Sequence, residues 1–412
     1  MKESAVLPIE TGQRSDILDI LRGFALLGIC IANSGYFSMY IFQSEASRAS
    51  MPFPLIDQWL KYFHIAFVDG KFYSIFSMLF GIGFAIIIYS KEGLGNKLTL
   101  FYRRLFILFA FGLAHAILIW DGDILMFYAL SGMFLPLFRK FRPRTLLIVA
   151  TVLLFSPLLF DWVKVWTNND LNMSNPLLKL ALEQDKQSGI TEQSLHNWLI
   201  VNNTYQDILA WNRSGFWWSW QMRIDGNRIQ KIFAMFLIGL AVGQMKLYCR
   251  IEEFKPLLKR IMVWSLVVGT IAGIAKVFFE TDEVSLPKPG GLFDTLTYAL
   301  NVAPLALGYC LVIALMHNSN NGNKVFEWMK PVGRMALTNY ILQTVICISI
   351  YYGIGLGLAS RVGPSFFIPM AVFIFLLQVV YSRIWLSYFN FGPLEWIWRQ
   401  LAYGKILPLR KS

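Results

Sequence analysis

The run LDILRGFALLGICIAN, residues 18 to 33, sets Asp19, Arg22 and Asn33 into an otherwise apolar stretch. Polar groups at membrane depth are costly and turn toward a partner or an interior. Asp19 lies three residues before Arg22 on the same helical face, so an ion pair with a snorkelling arginine accounts for both. Asn33 supports a second reading. Eleven residues at 100° each return to within about 20° of the starting direction, so Arg22 and Asn33 share one stripe, about 16 Å apart, that faces a polar interior. In YFHIAFVDGKFYSIFSMLFG (62–81), His64, Asp69 and Lys71 fall where an outer loop leads into a helix. There His64 is a proton-transfer group, with a pKa of about 6.5, or a surface residue of an interfacial helix. In GLAHAILIWDGDIL (112–125), His115 sits inside an apolar run, where an imidazole turned to lipid is costly; it is therefore hydrogen-bonded in the core or lines a site. Asp121 and Asp123 follow in a turn, with Asp123 suited to cap the next helix and either carboxylate placed to orient His115. In VGRMALTNYILQT (332–344), Arg334 opens a helix just before Thr338, Asn339 and Gln343, a face expected to line the same interior as Arg22.

The elements that position these groups are membrane helices. The chain has 412 residues, 56% hydrophobic and 15% charged, with a mean hydropathy of +0.50. Its apolar residues come in runs of about twenty, which marks an all-α polytopic helical bundle. About ten spans are expected, at 17–41, 72–90, 100–120, 122–138, 144–163, 230–248, 259–279, 293–316, 334–355 and 365–388. The first is too long for a signal-peptide core and is kept as a span. The organisation is a five-helix half (1–163), an extracytoplasmic polar and aromatic segment between helices 5 and 6 (164–228), and a second five-helix half (229–412). Within the middle segment, the cluster WNRSGFWWSW around Arg213 is an interfacial aromatic belt or a cover over the bundle.

The formal charge of +12 is explained by basic residues on cytoplasmic loops, not by a nucleic-acid partner. Loops 91–104, 139–144, 246–260 and 324–334 hold sixteen Lys and Arg, against five in 43–71, 120–123, 280–288 and 356–364, which places the first set and both termini in the cytoplasm. Cys30, Cys249, Cys310 and Cys347 show no CxxC spacing, so neither a disulfide framework nor a metal site is indicated.

Six ordered stretches, LDILRGFALLGICIAN, DGKFYSIFSMLFGIGFA, WDGDILMFYALSG, KIFAMFLIGLAVGQ, VGRMALTNYILQT and FGPLEWIWRQLAYG, resemble the YeiB-like family of bacterial integral membrane proteins over nearly the whole chain. The resemblance implies a bacterial cytoplasmic (inner) membrane location. It also implies kinship with a transmembrane acyltransferase superfamily that includes heparan-alpha-glucosaminide N-acetyltransferase and bacterial O-acyltransferases. The O-acyltransferase branch carries a histidine eleven residues after the arginine, where this chain has Asn33. Asp19, Arg22, Asn33 and His64 resemble the ordered set of the glucosaminide branch, with a longer interval before His64.

The activity so implied moves an acyl or acetyl group from cytoplasmic acyl-coenzyme A to an extracytoplasmic acceptor, an envelope glycan or small amine. Arg22, with Asp19, Arg334, Asn339 and Gln343, would hold the donor, Asn33 would bond the thioester arm, His64 would act as base, and His115, Asp121 and Asp123 would support the site. No metal is expected. The partners are the bilayer and the acceptor, and a homodimer is left open. A small-solute transporter or channel and a structural bundle without chemistry are the alternatives. The topology makes a direct prediction: single cysteines at Asn96 and Lys140 should resist a membrane-impermeant thiol reagent added outside, and cysteines at Asp57 and Gln187 should react. Labelling from outside at Asn96 would reverse the orientation and with it the side assigned to His64.

Overall fold

The computed structural model describes residues 15–90, 97–279, 286–319 and 326–411. Their regular structure is helical, apart from one isolated bridge between Phe389 and Arg410. Asn96, chosen above for labelling, lies outside the described residues.

The main helices are α1 (Asp16–Phe37), α2 (Pro54–Phe63), α3 (Lys71–Tyr89), α4 (Lys97–Leu118), α5 (Leu125–Gly132), α6 (Pro143–Phe155), α7 (Pro157–Trp166), α8 (Asn175–Ser188), α9 (Tyr205–Asp225), α10 (Arg228–Gln244), α11 (Ile251–Phe279), α12 (Gly291–His317), α13 (Lys330–Arg334), α14 (Ala336–Tyr351), α15 (Pro364–Tyr388) and α16 (Pro393–Tyr403). Proline stands in the first turn of α2, α6, α7, α15 and α16, where its missing N–H is not needed. Thr204 and Asp207 start α9 with a reciprocal capping box.

Seven segments are long and apolar enough to cross a bilayer: Asp16–Phe37, Pro54–Tyr89, Lys97–Leu118, Pro143–Trp166, Ile251–Phe279, Gly291–His317 and Pro364–Tyr388. The other three expected spans are shorter. Residues 122–138 form only the eight-residue α5 and a 3-10 turn at Leu135–Phe138, because Gly132 and Pro136 interrupt the helix. At 1.5 Å per residue, the 17 residues of α10 and 16 of α14 span roughly 25 Å, less than the ~30 Å hydrocarbon core. Helix α10 is buried along most of its length, and α14 along the face that carries Asn339, Gln343 and Thr344.

Burial separates centre from rim. Two-thirds (67%) of the apolar window of α1 is buried, against 22% of that in Pro143–Trp166. Close contacts run through glycine, as expected where helices pack without a hydrophobic driving force. A Cβ on Gly239 of α10 would collide with the Met78 carbonyl of α3, and one on Gly81 with the Phe236 carbonyl. Likewise Gly333 of α13 meets the Asp19 carbonyl and Gly23 of α1 meets the Met329 carbonyl, which clamps α13 across α1.

Two local corrections follow. Arg334 does not open the ninth expected span; it ends α13, Met335 breaks the helix, and α14 begins afresh. The cause is Glu395 of α16, whose carboxylate accepts the amides of Leu337 (2.6 Å) and Thr338 (3.0 Å) and the Thr338 hydroxyl (2.6 Å), satisfying the new N-terminus. Burial raises the Glu395 pKa in spite of these bonds. Asp57, expected to be open to a thiol reagent when replaced by cysteine, is 1% exposed. It accepts the Ser365 amide at 2.7 Å and holds α2 to the start of α15, so a cysteine there should stay silent. The rest of α2 is an amphipathic helix with Leu55, Ile56, Trp59 and Phe63 exposed.

The segment between α7 and α10 folds over the Asn33 end of the bundle. Helices α8 and α9 pair, with Trp218 Nε1 donating to Asp185 at 2.8 Å. Trp198 and Trp211 pack into a cluster with Phe37, Tyr40 and Trp120, so the aromatic run covers the bundle, and Arg213 points to the exterior. The segment is fastened by Asp161 of α7. Its carboxylate pairs with Lys164 (2.9 Å) and accepts from Asn227 Nδ2 (2.8 Å) and Thr295 Oγ1 (2.7 Å), while Lys164 also pairs with Asp225 (3.2 Å). Removing one member of a buried pair typically costs about 3–5 kcal/mol. Asp161→Ala should therefore lower the thermal midpoint of the detergent-solubilised protein and expose the 225–228 turn to proteolysis; an unchanged midpoint would show that the knot does not hold this segment.

Candidate functional site

At the Arg22 end the expected polar residues are buried or half-buried and bonded to one another or to neighbouring backbone, except the Asn339 side-chain oxygen, which is enclosed without a hydrogen-bond partner among the described residues. Arg22 pairs with Asp19 at 2.6 Å, Asp19 is fully buried, and Lys330 pairs with Asp16 at 2.6 Å. Asn339 and Gln343 turn inward as expected, toward α1 and α15. Asn339 Nδ2 donates to Ser382 (2.9 Å), Gln378 donates to the Asn339 carbonyl (2.9 Å), and Gln343 donates to Gln378 Oε1 (2.8 Å) and the Leu26 carbonyl (3.4 Å). This is an interhelical hydrogen-bond chain inside packed protein. Arg334 reaches the Asn390 carbonyl at 3.5 Å. On the stripe from Arg22 to half-buried Asn33, Leu26 and Ile29 are buried, and Gly28 abuts the Phe72 ring. Among the described residues the stripe is closed packing.

The Asn33 end differs. His115, in the last turn of α4, has Nδ1 3.0 Å from Asp123 Oδ1 and Nε2 3.1 Å from Thr344 Oγ1 of α14. All three are 2% exposed or less. Asp123 Oδ2 accepts the Met126 amide at 2.8 Å, so the same carboxylate caps α5 and orients the imidazole. Gly112 permits this: a Cβ there would strike the Met126 amide. A carboxylate at Nδ1 favours the tautomer protonated there, and the one Thr344 hydroxyl proton is contested between Nε2 and the Tyr340 carbonyl, 3.3 Å from Oγ1. Carboxylate, imidazole and hydroxyl in line is an arrangement that draws protons from hydroxyls or amines. Arg223 of α9 donates to the Asp123 carbonyl and lies 5.6 Å from the Phe127 ring centroid. Burial pushes its guanidinium pKa down to about 10, which leaves it charged at neutral pH.

Beyond the Gly226–Asn227 turn lies a second group. Arg228 opens α10 and sits 5.7 Å from the Tyr73 ring centroid; Tyr73 and Tyr298 share a hydroxyl hydrogen bond of 2.6 Å; and Lys231 Nζ lies 3.9 Å from the Tyr298 ring centroid. The turn that delivers Tyr73 requires glycine. Gly70 has φ of 81°, and a Cβ there would lie 2.6 Å from the Tyr298 hydroxyl. Asp69 lies in the electrostatic field of Lys71, Lys276, Arg228 and His64.

His64 occupies a π-helical turn, His64–Val68, between α2 and α3 and not a loop. Its carbonyl accepts the Asp69 amide at 2.8 Å, and its Nε2 is enclosed without a hydrogen-bond partner. No hydrogen bond joins it to Asn33 or His115 among the described residues. Nor do these residues contain a cluster of His, Cys, Asp and Glu able to hold a metal ion.

Sequence reading missed Thr344, Arg223, Arg228, Lys231, Tyr73 and Tyr298. The available signal was RIDGNRIQK, residues 223–231, three basic side chains in nine residues at the border of a span.

Fold and site together define a polytopic α-helical membrane protein with a polar centre buried at one end of its bundle. The chain belongs to the YeiB-like family. A family model described as a protein of unknown function (DUF418) matches residues 242–405. Uncharacterized protein YxaH of Bacillus subtilis (strain 168) is 31% identical, with 99% of each chain covered. An uncharacterized 39.9 kDa protein in the amylase 3' region of Bacillus acidopullulyticus is 28% identical over 98% of this chain and 97% of its own. Uncharacterized protein YeiB of Escherichia coli (strain K12) is 26% identical, covering 95% and 96%.

Asp121, in the loop after α4, gives the site a pH signature. Its side chain abuts Gly215 and lies beside Trp211, and burial raises its pKa from 3.8 to about 6. A carboxyl with a folded-state pKa above its unfolded value stabilises the fold in its protonated form. That contribution is present below pH 3.8 and is lost as pH rises through about 6. Asp121→Asn should abolish this part of the pH dependence, so that the difference in thermal midpoint between variant and parent changes between pH 4 and pH 7. A constant difference would contradict the shift.

Proposed function

We propose that the protein is an acyltransferase of the bacterial inner membrane, with both termini cytoplasmic, that takes an acyl group from coenzyme A inside and gives it to a hydroxyl or amine acceptor at the Asn33 end, outside. The observation that carries this reading is the Asp123–His115–Thr344 chain, an oriented imidazole within a membrane bundle at the end assigned to the acceptor. His115 would take the proton of the acceptor as its oxygen or nitrogen bonds the thioester carbonyl, with Asp123 stabilising the imidazolium; the C–S bond then breaks and the proton leaves with the coenzyme A thiolate as free thiol. Arg223 lies against the same turn, where its positive charge would stabilise the negative charge that develops on the attacked carbonyl oxygen. His64, the base expected from sequence, has no carboxylate hydrogen-bonded to its imidazole among the described residues, whereas His115 has Asp123. A donor arm entering from the Arg22 end would require the Leu26–Ile29 stripe to part from its neighbours.

That closed stripe favours a second reading, a polar binding centre without chemistry. The two separate in one assay. Inverted membrane vesicles containing the protein receive acetyl-coenzyme A labelled in its acetyl group, and lumenal acylated product is measured. The parent should transfer label; His115→Gln and Thr344→Val should lower the rate, by roughly 100-fold or more for the histidine, and His64→Gln should change it only a few-fold. No lumenal product from the parent, or a His115→Gln variant as active as the parent, would leave the binding reading.

A further inference from the structure

A guanidinium at membrane depth is retained only where something answers its charge. Arg228 is half-buried, and among the described residues no carboxylate or carbonyl accepts a hydrogen bond from it. Its neighbours are the phenols of Tyr36, Tyr73 and Tyr298, the Lys231 ammonium and the Asp69 carboxylate. Lys276 pairs with Asp294 at 3.0 Å and Lys164 with Asp161 and Asp225, while Arg228 and Lys231 share the field of Asp69, with Asp161 and Asp294 also acting on Lys231. Lys71 donates to the Ile65 carbonyl at 2.9 Å. Lys231 gives one of its three N–H groups to the Gly226 carbonyl at 2.8 Å and has others to spare. Between Tyr73 and Tyr298 one phenolic proton makes the 2.6 Å bond, so the second remains to donate elsewhere. Lys231 and Tyr298 also border a cavity with Ser74 and Val302 that has room for about one water. Arg228 begins α10, at the positive end of its dipole.

We propose that Arg228, Lys231, Tyr73 and Tyr298 form a binding site for a phosphate group. Convergent donors carrying more than one positive charge match a tetrahedral dianion better than a carboxylate, which a single guanidinium fork satisfies. Half-burial of Asn33, Tyr36, Asp69, Tyr73, Arg228 and Tyr298 leaves part of each surface uncovered where the ligand would enter. The site is independent of acyl transfer, since binding is read without a donor.

The test uses the full chain in nanodiscs made only of zwitterionic lipid. Two probes are titrated at constant ionic strength: inorganic phosphate, and a short-chain phosphatidic acid added to the disc. The thermal midpoint and direct binding are followed, with chloride as the reference. At least one probe should bind and stabilise the parent. Arg228→Gln should weaken binding at least about tenfold, the scale for loss of a close charge partner. Tyr298→Phe, which keeps the ring, and Lys231→Gln should each weaken it several-fold, while Lys179→Gln on the exposed face of α8 should not. Tyr298→Phe and Lys231→Gln decide the matter if Arg228→Gln does not fold. Binding of inorganic phosphate identifies a soluble phosphate ligand, and binding of the lipid alone identifies a headgroup. Absence of both, or parent-like affinity in the folded site variants, overturns the proposal.

Discussion

The geometry at the Asn33 end depends on how the Asp161 carboxylate is satisfied. Asp161 is 4% exposed, in a bundle where water is not available to solvate it, so its oxygens must be met by protein donors. Lys164 comes from its own helix, Asn227 from the turn before α10, and Thr295 from the first turns of α12. Satisfying one charge therefore ties three separate parts of the chain together. The tie fixes the Gly226–Asn227 turn, and the turn sets Arg223 on the His115 side and Arg228 on the tyrosine side.

The two ends of the bundle treat polarity differently. At the Arg22 end, amides and hydroxyls from α14 and α15 bond to each other and to α1, and Glu395 closes the start of α14. These bonds set the register of helices that apolar packing alone would leave free to slide. At the Asn33 end, Lys231 and the Tyr73–Tyr298 pair keep donors in hand.

What was legible in the sequence was local. His115 and Asp123 are eight residues apart across one turn, so their meeting follows from helix geometry and the chain reversal. Asn339 and Gln343 read as inward-facing because lipid would not tolerate them. Their partner Gln378 lies in another helix, and no spacing rule reaches it. The same holds for Thr344 beside His115 and for Tyr298 beside Tyr73, pairs separated by more than two hundred residues. Arg228 was passed over for a different reason: a basic residue at the edge of a span ordinarily sets topology, and only the fold shows it turned in toward Tyr73. Span lengths failed where Gly132 and Pro136 cut a run that hydropathy reads as continuous, and where Glu395, sixty residues downstream, supplies a cap that lets α14 start late.

The glycine contact between α10 and α3 bears on how the protein is made. Helix α10 is short and begins with Arg228 and Lys231, and it is buried along most of its length. Its stability comes from docking Gly239 and Gly243 against a helix synthesised some 150 residues earlier. Until then, α3 must wait in the bilayer with its glycine groove unfilled. Biogenesis of this chain is therefore a delayed, long-range event, and the interval between the two helices is when a membrane chaperone or a quality-control protease would meet it.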